Sequence, residues 1–390
     1  MIDTILQAGK AEARDYQTRI VEKVAGYFND GIRSAIVNSP TGSGKTFMGL
    51  AIAKWLQLEH GVGVGWVAMR RNLLSQASNE NAKLGIECED VAFTSMFARE
   101  PAVTDFAGRP IELLVVDEAQ HDAAHSMATI HNIIKPKWIL GLTATPYRTD
   151  RVKLCFDKIV KDIGIHQLIR EGYLSQYHQY TIPQWDVETV VATYLREPER
   201  WGKSAIYFHK REDAQACVDQ LKQAGVRAET VYGDHPQSLR EERLTAFEQG
   251  RIDVLVNMMI LTEGWDSPGL KTVFVRDSQK GPTIQMAGRV FRKYPGVEFK
   301  QVVQSKLTKY PINREAEPAE SFVWMADSWR SYKKSPAIRS VSRRAMITLA
   351  QTPQVEMPDF IKQRAENAPH WSQDMMVVEG HAIEEEEDDE

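Results

Sequence analysis

Short apolar runs alternate with longer amphipathic stretches along most of this chain, and the alternation predicts strand followed by helix. Residues 34–37, 62–68, 111–116 and 138–142 read as buried strands: each is short, apolar and lacks the polar alternation of a sheet with one wet face. Residues 47–56 read as a helix after the first strand, and another carrying Leu73, Leu74 and Gln76 follows the second. Ahead of them, Ile20, Val21, Val24, Tyr27 and Phe28 recur at helical spacing. Gly164, Gly172, Pro183, Pro198 and Gly202 then break the pattern and mark a boundary. Beyond it, strands at 204–208, 228–232, 253–257 and 272–275 interleave with helices at 212–223, 239–249 and 283–291. Such repetition predicts an α/β protein of two tandem parallel sheets, with active groups at the strands' carboxyl ends. The expected division is domain one at 1–170, a linker at 171–202, domain two at 203–310, a short helical C-terminal extension at 311–375 and an acidic, disordered tail at 376–390.

Composition changes little in this picture until charge is resolved by position. With 390 residues, 43% hydrophobic and 26% charged, the chain has enough apolar material for two cores. The net charge of −5 is uneven, because residues 351–390 hold twelve acids against Lys362 and Arg364, which leaves the first 350 residues at +5. A mildly basic body is compatible with a nucleic-acid partner. Cys88, Cys155 and Cys217 form no Cys-x-x-Cys, so neither a disulfide framework nor a cysteine-based zinc module is expected. No stretch reads as a secretion signal or membrane span, and the expected location is cytoplasmic.

The candidate chemistry begins at Ser39-Pro40-Thr41-Gly42-Ser43-Gly44-Lys45-Thr46, between the first strand and its helix. Glycines let backbone N–H groups close around phosphate, Lys45 can reach the β and γ phosphates, and the Thr46 hydroxyl can bind Mg²⁺. Ser39 stands where the usual pattern has Gly. Asp117 and Glu118 follow the strand at 111–116; there one carboxylate can hold Mg²⁺ and its neighbour can deprotonate an attacking water. Upstream, Gln17 has the amide geometry to pair with the N6/N7 edge of adenine, and Tyr16 beside it can stack on or wall the base. Thr143 and Thr145 put two hydroxyls at the next strand end, able to relay the nucleotide state. In domain two, Arg289 and Arg292 are expected as neighbours on one helix face, with Gly288 permitting close approach, so that both guanidinium forks reach the nucleotide. His121 and His125 have the spacing of a helical zinc pair, but the intervening acid is an Asp, one carbon short of the usual base. The start of a helix explains them better.

Near the C-terminus, Phe322, Trp324, Met325, Trp329 and Tyr332 precede Lys333, Lys334, Arg339, Arg343 and Arg344. A helix packing Trp324 and Trp329 on domain two is the expectation; aromatics and cations gripping a strand are the alternative. The uninterrupted acids from Glu384 to Glu390 read as a solubilising tail, or as a competitor for the nucleic-acid groove or a dock for a partner protein.

Taken together, these residues resemble the superfamily 2 helicases and translocases over about residues 13–295. The stretches around Gln17, Ser39 to Thr46, Asp117 to Gln120 and Thr143 to Thr145 look like that family's motifs in order. So do 205–209, 261–268 and 285–292 in the second half. Tyr232-Gly233-Asp234 with Arg240, the Glu263-Gly264-Trp265-Asp266 form and Met286 look most like the RadD, UvsW and XPB-like DNA motors and restriction-enzyme motor subunits. Asp15 departs from the pattern, which has Pro there. The resemblance implies two RecA-like lobes with ATP and Mg²⁺ between them. It assigns Thr41 to Thr46 and Asp266 to the nucleotide, and Gln285, Arg289 and Arg292 to the γ-phosphate. It further implies backbone contacts to nucleic acid from Arg70, Thr94, His209 and Thr262, DNA favoured over RNA, in a monomer. An RNA helicase and a slow ATP-gated clamp are the alternatives, and no strand-separating wedge is legible.

Overall fold

The structure is a computed structural model; it describes residues 2–8, 13–68, 71–86, 88–89, 91–95, 105–106, 109–121, 125–145, 156–262, 265, 267–325 and 328–331. The first lobe runs α1 (Ile2–Ala8), α2 (Asp15–Asn29), β1 (Ser34–Asn38), α3 (Lys45–His60), β2 (Gly63–Ala68), α4 (Arg71–Leu84) and β3 (Val91–Ser95). It continues through β4 (Asp105–Phe106), β5 (Arg109–Asp117), α5 (His125–Ile134), β6 (Trp138–Thr143) and β7 (Lys158–Val160). Its sheet has the order β3-β2-β5-β6-β1-β7, parallel along that path, with β4 added antiparallel to β5. β2 is buried along its whole length, as strands covered on both faces must be.

The second lobe runs α6 (Ile165–Arg170), β8 (Tyr177–Ile182), α7 (Val187–Arg196), α8 (Pro198–Trp201), β9 (Ser204–Tyr207), α9 (Arg211–Gln223) and β10 (Ala228–Val231). After α10 (Gln237–Glu248) come β11 (Val254–Asn257), β12 (Thr272–Phe274), α11 (Lys280–Gly288), β13 (Lys300–Ser305), β14 (Glu320–Met325) and β15 (Ser328–Ser331). The sheet order is β10-β11-β9-β12-β13-β8-β14-β15, parallel except for the closing β14/β15 hairpin. One apolar cluster extends from Ile20 and Leu56 of the first lobe to Val273 and Phe291 of the second.

Two expectations change. The stretch read as a linker supplies β8, α7 and α8, and β8 sits inside the second sheet between β13 and β14. The described part of the C-terminal extension has one short 3₁₀ turn at Ile312–Arg314 and is otherwise a strand hairpin rather than a helix, because its aromatics alternate at strand spacing. Phe322 stacks on Tyr180 at 4.9 Å, Trp329 meets Tyr180 edge-on at 4.9 Å, and Trp324 and Trp329 are register partners across the hairpin. Those rings are used for packing on lobe two, as expected, though from strands. The basic residues from Lys333 onward and the acidic tail lie outside the described residues. Among the described residues no helix is long and apolar enough to cross a membrane.

α3 is apolar nearly all round because it is covered on all sides, and at Gly49 it lies directly against the sheet. A Cβ there would meet Leu142 Cδ1 at 2.8 Å and Trp66 Cη2 at 2.9 Å. Gly49→Val should therefore destabilise the protein by about 1–3 kcal/mol through overpacking, read as a lower urea midpoint with an unchanged m-value.

Candidate functional site

β1 leads into the phosphate loop, which is anchored by the Ser39 N–H donating to Thr143 O on β6 at 2.9 Å. Gly42 and Gly44 take φ of +81° and +80°, a region side chains rarely tolerate. Ser39, where the usual pattern has Gly, is fully buried and its Oγ donates to Ser43 Oγ at 2.7 Å, so the extra hydroxyl cross-braces the loop. From α2, Tyr16 OH and Gln17 Nε2 both donate to Ser43 O, at 2.7 and 2.8 Å, and Gln17 Oε1 accepts from the Arg14 N–H at 3.0 Å. Each end of the Gln17 amide has one bonding position left. Tyr16 is buried and supports the loop, so it presents no face to a base. Its ring meets Tyr173 edge-on at 5.8 Å, and the Arg14 guanidinium lies 4.6 Å over the Tyr173 ring. Arg14 and Tyr173 are thus the half-buried pair at this end of the cleft. Sequence reading missed Tyr173 because Gly172-Tyr173 looked like boundary punctuation.

At the end of β5, Asp117 and Glu118 are both buried. Glu118 has φ of +52°, a left-handed conformation costing a non-glycine residue roughly 1–2 kcal/mol. In this strained turn the Glu118 N–H donates to Asp117 Oδ1 at 3.0 Å. Gln120 Nε2 donates to Glu118 Oε2 at 3.0 Å, Thr143 Oγ1 lies 2.5 Å from Gln120 Oε1, and the Thr145 N–H donates to Thr143 Oγ1 at 3.0 Å. This chain joins the acid pair to the two threonines. Burial, and next the Glu118 charge, raise the Asp117 carboxyl to about 7. Burial pushes the Lys45 ammonium down; Glu118 and Asp117 oppose that shift, while Arg289 and Arg292 add to it.

The second lobe meets this surface through α11. A Cβ on Gly288 would lie 3.2 Å from Thr41 Cβ and Oγ1, and one on Gly42 would lie 3.8 Å from Arg292 Cγ and 3.0 Å from Leu174 Cδ2. α11 ends at Gly288, so Arg289 and Arg292 do not share a helix face as expected. The backbone tightens there, with N–H groups of Arg289 and Val290 reaching back three residues to Met286 and Ala287. Arg289 Nη1 donates to Trp265 O at 2.8 Å. Gln285 is half-buried on α11.

The donor set fits a phosphate chain with a divalent cation. The desolvated Lys45 ammonium faces two carboxylates and two arginines, a setting that phosphate oxygens would favour, and a divalent cation beside Asp117 would return to its charged form a carboxyl that burial raises to about 7. Asp117 and the Thr46 hydroxyl would supply oxygen ligands to such a cation, a set that suits Mg²⁺.

The residues assigned to nucleic acid divide differently. His209 sits just past β9, with both ring nitrogens engaged by the protein. Thr94 lies on β3 and Thr262 on a short turn at Ile260–Thr262, their side chains outside the described residues. Arg70 and Asp266 are outside them altogether. His121 closes a turn and α5 begins at His125. Among the described residues no cluster of three metal-ligating side chains occurs.

Comparison with known proteins gives two family matches: the type III restriction enzyme res subunit over residues 10–106, and the helicase conserved C-terminal domain over 186–294. "Putative ATP-dependent helicase IRC3" of Saccharomyces cerevisiae is 24% identical over 72% of this chain and 49% of its own length. "Putative mitochondrial ATP-dependent helicase irc3" of Schizosaccharomyces pombe is 25% identical over 75% of this chain and 57% of its own. The chain thus spans about half the length of the curated relatives it matches. Among solved structures, the ATP-dependent Type ISP restriction-modification enzyme LlaBIII bound to DNA superposes with a TM-score of 0.57 at 16% identity, covering 77% of this chain and 28% of that one. S. cerevisiae Dbp5 bound to RNA and ADP BeF3 gives 0.51 at 14%, covering 75% of this chain and 87% of that one. At these identities the superpositions establish the fold, two tandem RecA-like lobes.

If Lys45 binds phosphate oxygens, inorganic pyrophosphate should raise the thermal midpoint of the wild-type protein by about 3 °C or more and leave Lys45→Met unmoved, as read by differential scanning fluorimetry.

Proposed function

The chain belongs to the superfamily 2 helicases and translocases, and on that premise we propose that it hydrolyses ATP between its lobes to move along or remodel a DNA strand. The observation that carries this reading is the convergence of Lys45, Asp117 and Glu118 from lobe one with Arg289 and Arg292 from lobe two around one cleft. Bound ATP with Mg²⁺ supplies the phosphoanhydride bond and the divalent charge. Within that cleft the loop N–H groups from Thr41 to Thr46 and the Lys45 ammonium bind phosphate oxygens, and Thr46 and Asp117 hold the metal. Glu118 orients a water and takes its proton, its carboxylate already steadied by Gln120. Arg289 and Arg292 neutralise charge that develops on the transferred phosphoryl group, with Gln285 beside them. Gln17 uses its remaining donor and acceptor on adenine, and Arg14 and Tyr173 flank the base.

DNA is favoured over RNA by Gln120 and Met286, and by the restriction-enzyme match to lobe one. Binding is through the backbone and independent of base sequence. A monomer, a reducing cytoplasmic setting and a protein partner at the acidic tail complete the reading.

Two outcomes test it. Lys45→Ala and Glu118→Gln should lower ATP turnover by about 10²-fold or more with the thermal midpoint retained, and substantial residual hydrolysis in either removes the assignment. Arg289→Ala and Arg292→Ala should each cost about 10³-fold in kcat with little change in ATP affinity. Assaying ATPase stimulation and strand displacement with single-stranded DNA, duplex DNA, forks and RNA decides the substrate; stimulation by RNA alone reassigns the chain as an RNA helicase.

A further inference from the structure

Two residues past the end of β12, and beside the end of β9 with which β12 pairs in parallel, Arg276 is held in an unusual way. Its Nη1 is engaged by the protein: it lies 2.8 Å from His209 Nδ1, 2.8 Å from Ser278 Oγ and 3.3 Å from Asp277 O. The opposite edge is different. Nε is buried without a hydrogen-bond partner, and among the described residues no carboxylate pairs with this guanidinium. The nearest acid, Asp277, is spent elsewhere: its Oδ1 accepts the Lys309 N–H at 2.5 Å and its Oδ2 pairs with Lys309 Nζ at 3.2 Å. A half-buried cation whose Nη1 is held by the protein, and which meets no carboxylate among the described residues, suits an external anion at its remaining N–H groups.

His209 explains the pinning. Its Nε2 lies 2.8 Å from Asp277 O, which can only accept, so the ring proton resides on Nε2. Nδ1 therefore carries the lone pair that receives Arg276. The imidazole is neutral and fully used, which leaves it unable to serve as the direct strand contact expected from sequence.

We propose that Arg276 is the lobe-two group that grips a backbone phosphate of the nucleic acid, and that His209, in its Nε2–H form, is the positioning residue that aims it. This rests on the nucleic-acid function proposed above. Arg276 escaped sequence reading because it ends an apolar run, Thr272 to Val275, and belongs to none of the quoted motifs.

The test measures anisotropy of labelled oligothymidine DNA, and of oligouridine RNA of equal length, across a salt series, with ATPase titrated against the same strands. Arg276→Gln should weaken binding about tenfold at low salt and flatten the slope of log affinity against log salt by about 0.7, the share of one phosphate contact on a single strand. Arg276→Lys should keep the slope while losing part of the affinity. His209→Ala should weaken binding about threefold with the slope unchanged, and His209→Asn, whose Oδ1 can stand where Nδ1 stands, should restore it. In the ATPase titrations the half-saturating strand concentration should rise by the same factors, with the rate at saturation held. A weaker effect with both strands places the phosphate in either nucleic acid; a larger one with DNA ties the contact to the DNA strand. Arg276→Gln that melts like wild type yet keeps affinity and slope overturns the inference and leaves the proposed function standing. Wild-type protein that binds neither strand, with no ATPase stimulation by either, overturns both.

Discussion

Gly288 brings the backbone of α11 within van der Waals reach of Thr41, and through that approach the charges of two lobes come to share one space. Two unit charges about 6 Å apart interact by roughly 3 kcal/mol at an effective dielectric of 20, so bringing arginines toward Lys45 works against closure unless an anion lies between them. Burial is what lowers the Lys45 pKa; Glu118 and Asp117 oppose that shift, and the smaller effects of Arg289 and Arg292 add to it. A polyanion with its metal reverses the sign of the same interactions and turns mutual repulsion into shared attraction. Closure then depends on the ligand's charge because the ligand interacts differently with open and closed arrangements. A Cβ at position 288 would sit 3.2 Å from Thr41 Cβ and Oγ1, so Thr41 or α11 would have to give by a few tenths of an ångström, a steric demand that adds to the electrostatic one.

How much of this was legible followed from how each residue satisfies its surroundings. Strands such as β2 and β5 announce themselves because burial on both faces demands apolar side chains throughout. The loop, the acid pair and the arginines were legible because their chemistry restricts residue type at fixed spacing. β13 was not, because Lys300, Gln301 and Gln304 look solvated while being buried with dedicated partners. Lys300 Nζ donates to Pro268 O at 2.7 Å and Leu270 O at 2.5 Å, and Gln304 Nε2 to Tyr310 O at 3.2 Å. β8 hid for a related reason: Gln179 is buried, and His178 stacks on Phe299 at 4.4 Å and meets Phe322 of β14 edge-on at 5.5 Å. The C-terminal aromatics were assigned the right surface and the wrong element, since a run of large rings fits a helix face or a hairpin face until cross-strand register is known. Ser39 shows the converse: a departure from the usual loop pattern turns out to be a brace, which no spacing rule could foresee.

α11 gives these separate observations a single mechanical frame. Nine residues long, it spans about 13 Å and touches lobe one near both ends, Gly281 beside Thr145 and Gly288 against Thr41. Thr145 ends the hydrogen-bonded chain that starts at Glu118, and Thr41 belongs to the phosphate loop, so one rigid element reports on both the acid pair and the cradle. Immediately before the helix, Ser278 accepts from Arg276 through Oγ, and its carbonyl lies 3.3 Å from Thr283 Oγ1 within α11. The group placed to hold the strand is therefore braced against the start of the helix whose far end carries Arg289. A displacement of α11 that seats the arginine must also move the Ser278 brace, because a helix of this length transmits translation rather than bending. On the proposed function, nucleotide and strand are in this way coupled by geometry at two ends of one short strut, with Gly288 where it lies flush against the phosphate loop.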